Sequence, residues 1–190
     1  MLRSGRVRGR SVVSRVHDFD RRVDAMIERV RGPHLDPIFY GLSSAADHGL
    51  LWLFVGATRA AREGDPAIAL RLGAALGVES LLTNGPIKAC FRRVRPADDH
   101  PPDGPLPYGM HRPITSSFPS GHAASAFTAA MLLADTPAAP VWFALATAVA
   151  ASRVYTRMHH SSDVIAGAAL GLALGLVMRP FVRKEKRWPL

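Results

Sequence analysis

The stretch Phe118-Pro119-Ser120-Gly121-His122 runs directly into Ala-Ala-Ser-Ala-Phe-Thr-Ala-Ala-Met-Leu-Leu-Ala. Ser120 is a helix N-cap type, Gly121 leaves the backbone open to close approach, and the small and apolar residues after it predict a tightly packed helix. Free N–H groups and the positive end of the helix dipole make such a helix start an anion site. Ser120 adds a hydroxyl and His122 a proton carrier, so phosphate is the guest this combination suits. Two further clusters extend the chemistry. Lys88 and Arg95 lie seven residues apart, two helical turns on one face if helix persists to Pro96, so that both cations can address one anion. Arg153 adds a third cation, in the guanidinium form that suits two phosphate oxygens at once. His159 and Asp163 are four apart at the start of a helix, close enough for the carboxylate to hold one ring nitrogen and leave the other a nucleophile. His122 is then the remaining titratable group.

Taken singly, each residue has a plain structural role: Lys88 as a snorkelling lysine, Arg95 and Arg153 as interfacial anchors, Asp163 as a partner of a helix dipole. The ordered set is far more specific. Lys-x6-Arg-Pro from Lys88, Pro-Ser-Gly-His from Pro119 and Ser-Arg-x5-His-x3-Asp from Ser152 resemble the type 2 phosphatidic acid phosphatase (PAP2) family, which shares its site with vanadium haloperoxidases. The resemblance covers Lys88 to Asp163 without a departure in the three motifs. It implies that His159 attacks phosphorus to form a phosphohistidine, and that His122 protonates the leaving alkoxide and then activates water. It also implies that Lys88, Arg95, Arg153, Ser120 and the Gly121 N–H hold the equatorial oxygens, with Asp163 behind His159 and no metal or other cofactor. Vanadate-dependent halide oxidation is the competing chemistry, disfavoured by a short chain with glycine-rich apolar helices. A non-catalytic lipid or anion binder is disfavoured by the intact His159, His122 and Asp163.

The elements that must position these groups are helical and apolar. At 190 residues the chain is one domain, and its 48% hydrophobic content and mean hydropathy of +0.08 lie on the boundary between soluble and membrane proteins. Local clustering decides the matter. A net charge of +9 suits anionic lipid heads or an anionic substrate. No basic stripe interleaved with aromatics accompanies it, which excludes a nucleic-acid partner. The single cysteine, Cys90, excludes an internal disulfide and reads as a small packing residue beside the site. Asp98, Asp99, His100 and Asp103 sit in a proline-broken loop without fixed ligand spacing and read as solvated, not as a metal site. His111 and Arg112 in the same loop are placed at the site entrance.

Residues 1–33 form a basic tail and an amphipathic helix over His17 to Arg31, expected to lie in the membrane interface. Residues 34–190 form the phosphatase domain, with apolar helices over Asp36–Ala61, Ala67–Lys88, Pro119–Leu133, Ala138–Tyr155 and Ser162–Val182. Asp47 and His48 interrupt the first and read mainly as a structural pairing, with a substrate-access or proton-path role as the alternative; Glu79 interrupts the second, with His48 one candidate partner that the sequence does not show. Gly73 and Gly77, and again Gly167, Gly171 and Gly175, carry the spacing that lets membrane helices pack backbone to backbone. The expected fold is therefore an all-α integral membrane bundle of about five spans plus one interfacial helix, multi-pass in a bacterial cell membrane. The expected partners are the bilayer and a lipid phosphate, with a homo-oligomer allowed. Five alternating crossings put all three motifs at one face, and the bias of Lys and Arg places that face in the cytoplasm.

Overall fold

The computed structural model describes residues 11–96, 115–135 and 137–182, and these are helical with connecting turns. The loop carrying Asp98, Asp99, His100, Asp103, His111 and Arg112 and the basic C-terminal tail lie outside the described residues. Seven helices follow in order: α1 (Val12–Val30), α2 (Asp36–Ala45), α3 (Leu50–Glu63), α4 (Pro66–Leu82), α5 (Gly121–Leu133), α6 (Ala139–Tyr155) and α7 (Ser161–Val182).

Helix α1 begins five residues before the expected His17, because the Ser11 hydroxyl accepts from the Ser14 N–H and caps it there. Its apolar residues divide between two sides: Val12, Val13, Phe19, Met26 and Val30 are exposed, whereas Ile27 packs beside Tyr40, Tyr155 and Met158 and the polar Asp20 is buried against the bundle.

The first expected span is broken. Between α2 and α3 the chain passes through a single 3-10 turn, Asp47–Gly49, and bends by 57°. His48 and Gly49 take left-handed backbone angles, φ +54° and +74°, which stop one helix and re-aim the next. Helix α4 starts on a helix-compatible Pro66 with Asp65 as its cap, and a π turn over Thr83–Ile87 carries it on to Lys88.

Helices α5 and α7 make the closest pairing. A Cβ added at Gly171 would lie 2.2 Å from the Ala124 carbonyl oxygen, and one at Gly167 would lie 2.4 Å from the Ser120 oxygen, so only glycine permits this approach. The Thr128 hydroxyl donates across the seam to the Gly171 carbonyl at 3.0 Å. The spacing of Gly73 and Gly77 does not do the same. A Cβ at Gly77 would meet nothing within 4 Å, and one at Gly73 only the flexible tip of Leu53 at 3.4 Å. Both line an open cavity instead, and the close contact of α3 with α4 falls at Gly56 against Leu72.

Trp52, Leu72, Leu76, Ala126, Ala129, Leu133, Ala146 and Val149 fill the core. At the bundle end remote from the motifs, Arg59 donates to both carboxylate oxygens of Asp135 at 2.9 and 3.2 Å and to Glu63 at 2.7 Å. Two helical segments, Pro66–Ile87 and Ser161–Val182, are long and apolar enough to cross a membrane, and the bent α2–α3 pair makes a third if counted as one. Cys90 is exposed, not packed: it sits just past the π turn with its thiol donating to the Pro86 carbonyl at 3.2 Å.

Candidate active site

A cavity of about 750 Å³ opens at the end of the bundle where the motifs meet. Of the eight residues singled out in the sequence, Lys88, Arg95, Gly121, His122, Arg153 and His159 line it. Ser120 and Asp163 are fully buried. Ser120 caps α5, its hydroxyl accepting from the Ala123 N–H at 3.4 Å, and its own N–H donates to the Asp163 carbonyl at 3.0 Å. The helix start holding Gly121 and His122 is thereby tied to the first turn of α7.

His159 sits in the turn between α6 and α7. Its Nδ1 lies 2.7 Å from the Ser117 carbonyl oxygen and 3.7 Å from Asp163 Oδ2. A carbonyl only accepts, so Nδ1 carries the proton and Nε2 keeps its lone pair. The immediate holder of the ring is thus a backbone carbonyl 42 residues upstream, with the Asp163 carboxylate as a second, longer-range partner; the i, i+4 spacing had suggested Asp163 alone. Burial pushes the His159 imidazole down to about 3, with the Asp163 carboxylate opposing the shift and Arg153 and Arg95 adding to it, so the ring is neutral at neutral pH. Arg95 Nη1 stands 3.3 Å from Nε2 and donates to the Met158 carbonyl at 2.6 Å. That places a guanidinium beside any phosphoryl group carried on Nε2.

Arg153 is buried at the cavity wall, donates through Nη1 to the Ser43 hydroxyl, and keeps an Nε with no hydrogen-bond partner among the described residues. A buried guanidinium with a free donor is a ready acceptor of an anion. His122 Nε2 lies 2.7 Å from Asp47 Oδ1 of the 3-10 turn. Glu79 does not pair with His48: its Oε1 accepts from the Thr83 hydroxyl at 2.8 Å, and its Oε2 has no partner among the described residues.

Five groups at or behind this cavity have partners that spacing did not indicate. Arg93 donates through Nη1 to Asp163 Oδ1 and the Ser162 hydroxyl at 2.6 and 2.7 Å and through Nη2 to Asp20 at 2.6 Å. Asp20 of α1 accepts in addition from the Ser162 N–H at 2.9 Å, which caps α7 from another helix. Arg157 pairs with Glu28 of α1, and that hydrogen bond holds the Glu28 carboxyl below its usual range. Helix α1 therefore clasps the turn that carries His159. Asp47 and Ser43 complete the set from the bent first segment.

The helical bundle, long enough in parts to cross a membrane, ends here in a cationic cavity with two histidines, an arrangement suited to a phosphate group. Residues 68–187 match the model of the PAP2 superfamily, and the chain belongs to that superfamily. It is 32% identical over 141 residues, 73% of this chain and 75% of the other, to the decaprenylphosphoryl-5-phosphoribose phosphatase of Mycobacterium tuberculosis. The enzyme of the same name from Mycolicibacterium smegmatis is 33% identical over 129 residues, 66% of this chain and 67% of that one. Among solved structures, a transmembrane PAP2-type phosphatidylglycerolphosphate phosphatase from Bacillus subtilis superposes with a TM-score of 0.70 at 26% identity, covering 92% of this chain and 90% of that one. Aquifex aeolicus LpxE gives 0.64 at 26% identity, over 84% and 94%.

Proposed function

We propose that this membrane phosphatase works through a phosphohistidine on His159. The Nε2 lone pair attacks phosphorus, the bond to the leaving oxygen breaks, and that oxygen takes its electron pair together with a proton from His122. Water then gives a proton to His122 and attacks phosphorus, and the P–N bond returns its electrons to Nε2. Lys88, Arg95, Arg153 and the Gly121 N–H stabilise the charge on the equatorial oxygens, so the positive charge comes from side chains and no metal is required in this reading. Ser120 and Asp163 hold the α5 and α7 starts in place from behind. The single observation that supports this most is the His159 ring, neutral, protonated on Nδ1 and presenting Nε2 beside Arg95.

For the substrate we favour a polyprenyl-linked sugar phosphate, over phosphatidate, phosphatidylglycerol phosphate or a simple polyprenyl phosphate. The similarity to the mycobacterial decaprenylphosphoryl-5-phosphoribose phosphatases supports it, as does a cavity whose cationic end is continuous with Leu53, Leu76 and Leu81. A panel of these lipids in detergent, read as released phosphate with and without a chelator, tests both points. Preference for the polyprenyl sugar phosphate with no loss in chelator is expected; preference for a water-soluble phosphate overturns the reading.

In this reading five helices, the bent pair counted as one, cross the bacterial cell membrane, and residues 1–33 lie at the interface on the side of the site. That side carries 16 of the 24 Lys and Arg residues, which favours a cytoplasmic site and an external C-terminus. A C-terminal alkaline phosphatase fusion is expected to be active, and fluorescence from a reporter that matures only in the cytoplasm would reverse the orientation.

A further inference from the structure

The first span is broken at one place, and the break delivers a carboxylate. Asp47 opens the 3-10 turn directly before the left-handed His48 and Gly49, and the 57° bend swings its side chain into the cavity wall. There Asp47 Oδ1 meets His122 Nε2 at 2.7 Å. The carboxylate retains 40% of its side-chain exposure, enough contact with the cavity to stay solvated and charged. A pair that only filled a hole in a membrane bundle would be closed off instead.

We propose that Asp47 is the positioning carboxylate of His122, an inference that rests on the general-acid and general-base role read for that histidine. A carboxylate on Nε2 fixes the proton there and leaves Nδ1 as the nitrogen offered to substrate. His159 is arranged the opposite way, with Nδ1 on the Ser117 carbonyl and Nε2 offered. One histidine is backed by a neutral acceptor and keeps a lone pair; the other is backed by a charged acceptor and is fitted to hold an extra proton. The difference matters because the cations Arg153 and Lys88 line the same cavity as the His122 ring. Asp47 supplies a negative charge to that ring directly, through a 2.7 Å contact made from the turn between α2 and α3.

The proton path balances. His122 carries protons on both nitrogens before the first step, the Nδ1 proton goes to the leaving oxygen, and the ring stays bonded through Nε2–H to Asp47. Water returns a proton to Nδ1 in the second step, and Asp47 keeps its charge throughout.

The test compares Asp47→Asn, Asp47→Glu, His122→Ala and the Asp47→Asn/His122→Ala double variant, each as full-length protein in detergent, on an alkyl lipid phosphate and on 4-nitrophenyl phosphate. Asp47→Asn keeps the shape and loses the charge, so kcat on the alkyl phosphate should fall about 10–100-fold with KM nearly unchanged. On 4-nitrophenyl phosphate the first turnover should keep its rate, because that leaving group needs little protonation, and a burst of nitrophenolate should precede a slower steady state. Asp47→Glu should recover part of the loss, and the double variant should be no slower than His122→Ala. Equal first-turnover losses on both substrates, or losses that multiply in the double variant, overturn the inference and leave Asp47 a structural residue. If His122→Ala discriminates by leaving group and Asp47→Asn does not, the inference alone fails. If His122→Ala itself shows no discrimination, the general-acid reading fails and carries the inference with it.

Discussion

The α5–α7 pair and the bent α2–α3 segment serve the same cavity by opposite means. The pair has glycine every fourth residue and lets two backbones touch, with a would-be Cβ at Gly167 and Gly171 inside 2.5 Å of a carbonyl oxygen on α5. Such a seam has almost no freedom to slide, so the Ser120 cap and Asp163 keep a constant separation through one backbone hydrogen bond. The bent segment gives up helix continuity and in return brings two polar side chains, Ser43 and Asp47, to Arg153 and His122. Backbone packing sets the α5–α7 separation, whereas the bent segment supplies polar partners to Arg153 and His122.

Five substitutions break or sharpen that contrast. The largest effect belongs to His159→Ala, which removes the proposed nucleophile without removing an apolar contact. Phosphate release should drop by on the order of 10⁴-fold or more, while the protein still folds and inserts. Asp163→Asn should slow turnover about 10–100-fold and leave phosphate affinity intact, read as inhibition by inorganic phosphate. If affinity collapses as well, Asp163 serves the fold and not the histidine. Arg93→Ala removes the side chain that joins Asp163 to Asp20 and should lower kcat by roughly 3–10-fold with little change in KM, a smaller loss because it acts through a second residue. An unchanged kcat would show that the clasp of α1 on the site is only structural. The smallest effects are on stability. Gly171→Ala places a methyl against the Ala124 carbonyl and should cost about 1–3 kcal/mol, seen as a lower melting temperature in detergent. Gly77→Ala has open space and should leave melting unchanged or raise it slightly, by up to about 1 kcal/mol of helix propensity. If both glycine variants melt alike, the contrast between packed and open glycines is wrong.

Those two glycine series also mark the limit of what a sequence carries. Their spacing is identical, and it states only that one face of a helix is small. Whether a neighbour comes up to that face depends on where another helix lies, and here one series meets α5 and the other a cavity. The Ser120 cap before Gly121 was legible from capping chemistry, and the elements carrying Lys88, Arg95, Arg153 and His159 do meet at one cavity. Lys88 and Arg95 do not share a helical face as their spacing suggested, because the chain leaves helix after Ala89, and the spacing of His159 and Asp163 did not show the Ser117 carbonyl that holds the ring. The two ends of the bundle were legible too, because apolar runs alternate with polar turns. The partners of those groups were not. Asp47 is 75 residues from His122, Ser43 is 110 from Arg153, and Asp20 is 73 from Arg93. Each depends on an angle that no local pattern encodes: the bend at His48 and Gly49, and the way α1 turns Asp20 inward. The sequence by itself determined which groups could do phosphoryl chemistry and on which elements they ride, since helix period and N-capping are local forces. Only the tertiary structure decided which acceptor holds each imidazole, a carbonyl for His159 and a carboxylate for His122, because a ring's partner is chosen by proximity across helices and not by order along the chain.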